Sequence, residues 1–447
     1  MDGRTRAAHA ARHFASADAG RRVTLVALTL MLGLALPGAA QATAPGRACA
    51  APSWVAGWYG APVQTVPGLS DRTYRSLTTV HYPGRQLRVR LTNALGSSPV
   101  HVDAVTVAQA ATGAAAIPAS TRIVRFHGKP GVTVLAGRDV VSDPVPLAVA
   151  GMAKVAVSFF AAGSTGPLTA HSSEPQDAFG PPTDVVPMGG AMESHVSFLS
   201  TPGDHTRDES GTWFVQPDTS AALVDGVDVL PSTPTAGVVA LGDSITDGFE
   251  STPEADASWP DDVSRRLLGA GVHVALVNAG ISGGQVVGKN GRGPNALARM
   301  TRDVLSQSGV RAVIVLEGIN DIGNGATANQ VIAGYRALIR AAHDRGLTVY
   351  GGLLTPSGDT TRPFVSPAYS DAKAVATRHQ VNAWTVNSGA FDGVIDFDQA
   401  VADPAAPEHW RTGYSADDLH GNDAGYRLMA GAVPAKVLAR LRPCGGS

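Results

Sequence analysis

The apolar run Val238-Val239-Ala240-Leu241 ends in Gly242-Asp243-Ser244-Ile245, and this is the first place along the chain where residue types suggest chemistry. A serine at the carboxyl end of a buried strand sits where open α/β sheets hold their ligands, and an adjacent glycine lets the backbone approach a substrate. Gly, Asp and Ser are also ordinary turn residues, so the triplet by itself reads equally well as a strand exit. Other residues must supply what a serine lacks. A hydroxyl is a poor nucleophile until an imidazole removes its proton, and the imidazole needs an anion to fix its tautomer. Attack on an ester then creates an oxyanion that needs hydrogen-bond donors.

Downstream, predicted strand ends carry Ile281-Ser282-Gly283 and Gly318-Ile319-Asn320-Asp321, and Asp417-Asp418-Leu419-His420 stands just before Asn422. In order and spacing these four blocks resemble the GDSL/SGNH hydrolase family over about Val238 to Leu441. Within it the chain is similar to secreted bacterial esterases that carry a β-rich domain ahead of the catalytic one. The resemblance implies a serine esterase, that is, a carboxylic ester hydrolase. Ser244 would be the nucleophile, His420 the base and Asp417 its orienting acid, with Gly283, Asn320 and the Ser244 amide as oxyanion donors. Ile245 replaces the leucine of the family's name, and Gly421 stands where proline is usual after the histidine.

Each role has a rival in the sequence. Gly280-Ile281-Ser282-Gly283-Gly284 fits the G-x-S-x-G nucleophile elbow and would make Ser282 the nucleophile, but it leaves the Gly-Asp-Ser and Gly-Ile-Asn-Asp blocks unexplained. Asp418, Asp396 and Asp398 compete with Asp417 as the triad acid. The D-x-x-H spacing favours Asp417, because a residue three before the histidine can fold back to its Nδ1 within one turn. Asp243 reads as a brace or cap for the segment that follows it, and Trp259-Pro260 as a helix start with a core aromatic. The sequence offers no metal-ligand set and no phosphate-binding loop of the P-loop kind, so neither metal nor cofactor is expected.

Positioning these strand ends requires a parallel sheet. Apolar runs at Gly237–Leu241, Val272–Val277, Val310–Leu316, Leu347–Leu354 and Val394–Phe397 alternate with helical segments, the clearest being Asn329–Arg345 with its stripe Val331, Ile332, Tyr335, Leu338, Ile339 and Ala342. This is the pattern of a doubly wound, mostly parallel, flavodoxin-like α/β sheet. Before it, Gln86–Thr92, Val100–Val107, Arg122–Phe126 and Lys154–Phe160 alternate in polarity as half-buried strands do, and predict an all-β, jelly-roll-like sandwich. Pro231-Ser232-Thr233-Pro234-Thr235 reads as a linker, giving a signal peptide over 1–42, a β-sandwich accessory domain with linker over 43–235 and a catalytic domain over 236–447.

The first 22 residues hold five arginines, Val23 to Leu36 is almost wholly apolar, and Ala40-Gln41-Ala42 offers an A-x-A cleavage site. The pattern predicts an export signal and a secreted or periplasmic protein. Arg21-Arg22 admits a twin-arginine route, although their neighbours fit the general secretory route better. No later run is long enough for an integral membrane segment. Loss of residues 1–42 moves the formal charge from −2 to −5, which leaves no basic surplus for nucleic acid. The two cysteines, Cys49 and Cys444, invite a disulfide in an oxidising compartment.

The substrate expectation is an ester, on carbohydrate or a small molecule in preference to lipid, because no lipid-facing amphipathic helix is visible. A lysophospholipase or lipase-type hydrolase is the alternative within the enzyme class. A non-catalytic carbohydrate-binding protein on this scaffold is the alternative outside it. A polysaccharide contact through the β domain would use aromatics such as Trp54, Trp58 and Tyr59 as a platform, and core packing is the competing role for the same rings.

Overall fold

The computed structural model describes residues 53–172, 196–289, 292–358 and 367–443. The expected signal segment, Cys49 and Cys444 lie outside the described residues. The first half is built from antiparallel strands, among them β1 (Val55–Tyr59), β2 (Arg72–Val80), β3 (Gln86–Thr92), β4 (Ala104–Gln109), β5 (Ala153–Ala161), β6 (Leu168–His171), β7 (Val196–Pro202) and β8 (Val224–Leu230). Among the described residues, β1, β8, β3 and the short Asp139–Val141 form one sheet in that order. Phe214–Asp218, β7, β2, β5, β4 and Arg122–Ile123 form a second, and β6 lies between Ala221–Ala222 and Gln64–Val66 in a third.

The alternation that predicted β3 has a simple cause. Leu87, Val89 and Leu91 point into a core shared with Val105, Val107, Val155, Val157 and Phe159, while Arg88 and Arg90 point outward from it. The expected continuous strand Val100–Val107 is broken at Asp103. Val100–Val102 pairs with Val132–Val134, whereas β4 joins the large sheet beside β5. The Asp103 amide donates to Phe160 O and its carboxylate accepts the Ala162 amide, so this residue ties the break to the end of β5.

The second half holds five parallel strands, β9 (Ala236–Gly242), β10 (Val274–Gly280), β11 (Val310–Leu316), β12 (Thr348–Gly352) and β13 (Gly393–Ile395). Their spatial order is β10-β9-β11-β12-β13. Strand order therefore reverses direction beside β9, and the crevice of such a sheet opens at the carboxyl ends flanking that reversal. Connecting helices include α1 (Ser244–Asp247), α2 (Trp259–Gly269), α3 (Ala296–Met300), α4 (Ile319–Gly323), α5 (Ala328–His343), α6 (Ala372–Asn387) and α7 (Asp423–Ala432). The stripe expected on α5 is buried except at Ile332, which is half-buried against the same core, and Thr327 caps the helix with Gln330 in a reciprocal capping box. Ser258 and Asp261 do the same for α2, whose first residue, Trp259, is fully buried against Phe397.

The two halves pack as one unit, Arg47–Ser447. Ala56, Tyr59, Ala61 and Val63 belong to the core of the parallel sheet, and Ala275 of β10 belongs to the core of the antiparallel half. Trp58 and Tyr59 are each 2% exposed and so pack in the core, whereas Trp54 is half-buried with the Arg88 guanidinium 4.3 Å over its ring.

Candidate active site

Strand β9 is fully buried, and its last residue must be glycine. A Cβ on Gly242 would lie 2.0 Å from Thr246 Oγ1 and 2.4 Å from Leu316 O. The chain then turns straight into α1. Asp243 is its N-cap, accepting the Ile245 amide at 3.1 Å, and Ser244 is its first residue. The cap role expected of Asp243 is therefore the one it has. Burial, and then the charge of Glu317, hold the Asp243 carboxyl well above the usual carboxylate range.

Ser244 Oγ lies 2.9 Å from His420 Nε2, and His420 Nδ1 lies 2.7 Å from Asp417 Oδ2. Ser244, His420 and Asp417 are all buried. Asp417 also accepts the amides of Leu419 and His420 at 3.0 and 2.8 Å. Burial opposes its ionisation, but the His420 ring and these two amides outweigh burial and hold Asp417 down to about 2. Asp418 points elsewhere, with φ at +61°, its carboxylate taking the Trp410 amide at 2.7 Å and His409 Nδ1 at 2.5 Å. Asp398 pairs with Arg378, and Asp396 caps the helix Phe397–Val401. The Phe249 ring packs against His420 at 4.7 Å.

The oxyanion candidates lie on neighbouring strand ends. Gly283 follows β10 with φ at +75°, a conformation that favours glycine. Among the described residues, the Ser244 and Gly283 amides donate to no protein group. Asn320 enters α4 directly after β11. Its Nδ2 donates to Gly284 O at 2.9 Å and its Oδ1 accepts from Tyr369 at 2.8 Å, which fixes the amide orientation and leaves one Nδ2 proton for a ligand. Ser282, the rival nucleophile, donates its hydroxyl to Asp247 at 2.7 Å, so it anchors a turn with no imidazole at its oxygen.

Beneath these strand ends lies a buried polar network that no motif signalled. Arg299 donates to Gly242 O at 2.9 Å and Ala279 O at 2.6 Å, the carbonyls that precede the Ser244 and Ser282 turns, and pairs with Asp303 and Glu317. Burial pushes Glu317 up to about 7 against the pull of Arg299. Asp321 accepts the amides of Val286, Val287 and Gly288, which holds the loop after Gly283 against α4. Tyr369 and Arg299 were missed because neither belongs to a recognisable block. Their only signal is spatial. Among the described residues, no group of three or more His, Cys, Asp or Glu is placed to hold a metal.

The model of the GDSL-like Lipase/Acylhydrolase family matches residues 240–428. No curated protein matches the chain. Among solved structures, it is similar to a GDSL-like lipase from Bacteroides thetaiotaomicron VPI-5482, at 17% identity over 45% of this chain and 87% of that one, with a TM-score of 0.35. It is similar to Est24, a carbohydrate acetylesterase from Sinorhizobium meliloti, at 17% identity over 46% and 99% of the two chains, with a TM-score of 0.37. The native aryl esterase of M. smegmatis aligns at 14% identity over 46% and 100%, with a TM-score of 0.39.

Proposed function

Through residues 240–428 this chain carries a GDSL-like lipase/acylhydrolase domain, and from that premise we propose that it hydrolyses short-acyl esters by an acyl-enzyme on Ser244. The observation that carries the reading is the continuous hydrogen-bonded line from Ser244 Oγ through His420 to Asp417, at 2.9 and 2.7 Å. His420 Nε2 takes the hydroxyl proton as Ser244 Oγ attacks the ester carbonyl, while Asp417 keeps the other ring proton on Nδ1 and stabilises the imidazolium. The carbonyl oxygen becomes an oxyanion facing the Ser244 and Gly283 amides and Asn320 Nδ2. His420 returns the proton to the departing alkoxide, and a water activated by the same imidazole then releases the acid.

The substrate class we infer is an acetyl or other short-acyl ester on carbohydrate or a small molecule. The apolar stripe of α5 is turned into the core at Val331, Tyr335, Leu338 and Ile339, so it offers no face to a lipid surface.

Hydrolysis of p-nitrophenyl acetate, butyrate and octanoate by wild type, Ser244→Ala and Ser282→Ala tests both parts. Ser244→Ala should lose at least about 10³ in turnover, whereas Ser282→Ala should keep about a tenth or more. Full activity in Ser244→Ala would overturn the mechanism. A rate that rises towards octanoate, together with release of fatty acid from lysophospholipid, would overturn the substrate class.

A further inference from the structure

Tyr369 ends the single-turn helix Pro367–Tyr369 and is half-buried against the core of the parallel sheet. Its ring lies over Gly323, the last residue of α4, where an added Cβ would stand 2.6 Å from Tyr369 Cε1 and 2.7 Å from Cζ. Its carbonyl accepts the Ser357 hydroxyl at 2.9 Å, which ties its backbone to the segment leaving β12. Held in this way, the phenol reaches the helix that carries Asn320, and its hydroxyl lies 2.8 Å from Asn320 Oδ1. Chemistry fixes the direction of that bond. The other end of the same amide group has Gly284 O at 2.9 Å, a carbonyl that can only accept, so the amide nitrogen faces Gly284 and the amide oxygen faces Tyr369. An amide oxygen also only accepts, so the phenol donates. Burial, and then the charge of Asp243, push the Tyr369 phenol up to about 12, so it keeps the proton it donates throughout the neutral range.

We propose that Tyr369 is a positioning residue for the oxyanion site, acting through the side chain of Asn320. The proposal rests on the reading of Asn320 as an oxyanion donor in a serine esterase. Held by Gly284 O alone, the Asn320 amide plane could swing about that one bond. A second bond at the opposite corner stops the swing and aims the remaining Nδ2 proton. Asn320 is 6% exposed, so water has little access to take the place of the phenol. The same bond also polarises the amide. A donor on Oδ1 draws electron density from the nitrogen and strengthens the Nδ2 proton as a donor in turn. Aim and strength both matter most when the ester oxygen carries its full charge, so the phenol favours the transition state over the bound ester. A residue that comes after β12 in the chain thus tunes a donor that follows β11.

Tyr369→Phe removes the hydroxyl and keeps the ring over Gly323, so it isolates the bond from the packing. With p-nitrophenyl acetate it should lower kcat about five- to tenfold with KM within about twofold. Asn320→Ala should lower kcat by about 10²–10³. If the phenol acts through Asn320, adding Tyr369→Phe to Asn320→Ala should change kcat by less than about twofold. A packing role would instead lower kcat by the same factor in both backgrounds. Phenylboronic acid, whose tetrahedral adduct on the serine places an oxygen in the oxyanion site, reads the bond without the double variant. It should bind Tyr369→Phe about five- to tenfold more weakly than wild type. An unchanged kcat in Tyr369→Phe, equal losses in the two backgrounds, or an unchanged boronic acid affinity overturns the proposal. Ser244→Ala is run in parallel. Full activity in Ser244→Ala or Asn320→Ala sinks the underlying site assignment and the proposal with it, while a crippled Asn320→Ala beside a fully active Tyr369→Phe sinks only the role of Tyr369.

Discussion

An imidazole that is to accept the Ser244 proton must keep its own proton on the far nitrogen, and Asp417 can hold it there only as an anion. Two backbone amides and the His420 ring hold the Asp417 carboxyl down to about 2 despite its burial. This sets the sign of its contribution to stability. The folded value lies below the unfolded one of about 3.9, so the stabilisation is present above about pH 4 and is lost as pH falls towards 2. Its size is about 2–3 kcal/mol. Asp417→Asn should therefore lower kcat by about 10³–10⁴. Urea unfolding between pH 2 and 6 should show wild type losing stability relative to Asp417→Asn at the acid end. Asp418→Asn, which touches His409 and Trp410 instead, should keep activity within about tenfold. The reverse ranking of the two variants would show that the triad acid has been misassigned. The contact between Asp417 and His420 was legible because residues three apart in one turn can fold back on each other. Tyr369 was not, because its bond to Asn320 spans 49 positions and carries no motif.

At the scale of elements, the site is a set of strand ends brought within hydrogen-bond reach, and glycine permits the approach. A Cβ on Gly280 would lie 2.3 Å from the Asp247 amide nitrogen and 2.5 Å from its Cα, backbone atoms that cannot move aside without shifting α1. Gly280→Ala should cost about 1–3 kcal/mol in stability. It should also lower kcat at least about tenfold, since the same shift moves Ser244 and the Ser282 turn apart. Gly431→Ala makes the control, because an added methyl there meets nothing within 4 Å. In a helix that change should be neutral or stabilise by up to about 1 kcal/mol. Differential scanning calorimetry with p-nitrophenyl acetate kinetics reads both effects, and a Gly280→Ala protein as stable and active as wild type would remove the close approach from the argument. Period and burial made β3, β9 and β11 legible, with Gln86–Thr92 and Val310–Leu316 matching residue for residue. The break at Asp103 is written in the sequence as a change of phase, since the core valines stand at 100 and 102 before it and at 105 and 107 after it, and reading the whole run as one alternating strand passes over that shift.

At the scale of the molecule, the antiparallel half and the parallel sheet share core residues and a buried polar junction. Tyr59 of β1 donates to Asp303 at 2.5 Å across 244 positions, and Asp303 pairs with Arg299, which holds the carbonyls of Gly242 and Ala279. No period or motif could reveal a bond between residues so far apart, since the partner strands are legible separately while their docking is not. A chain of this length with two recognisable halves would ordinarily unfold in stages. Here Ala56, Tyr59, Ala61 and Val63 sit in the core of the parallel sheet, so exposing one half strips apolar cover from the other. Calorimetry should give one transition, and hydrogen exchange should show β2 and β9 losing protection together near it. Tyr59→Phe removes the donor but keeps the ring, and Asp303 retains its two arginines. It should lower stability by about 1–2 kcal/mol and shift the whole transition without splitting it. Two resolved transitions, with Tyr59→Phe moving only the one that carries β2, would mean that the halves fold independently and that the junction holds no part of the catalytic strand ends in place.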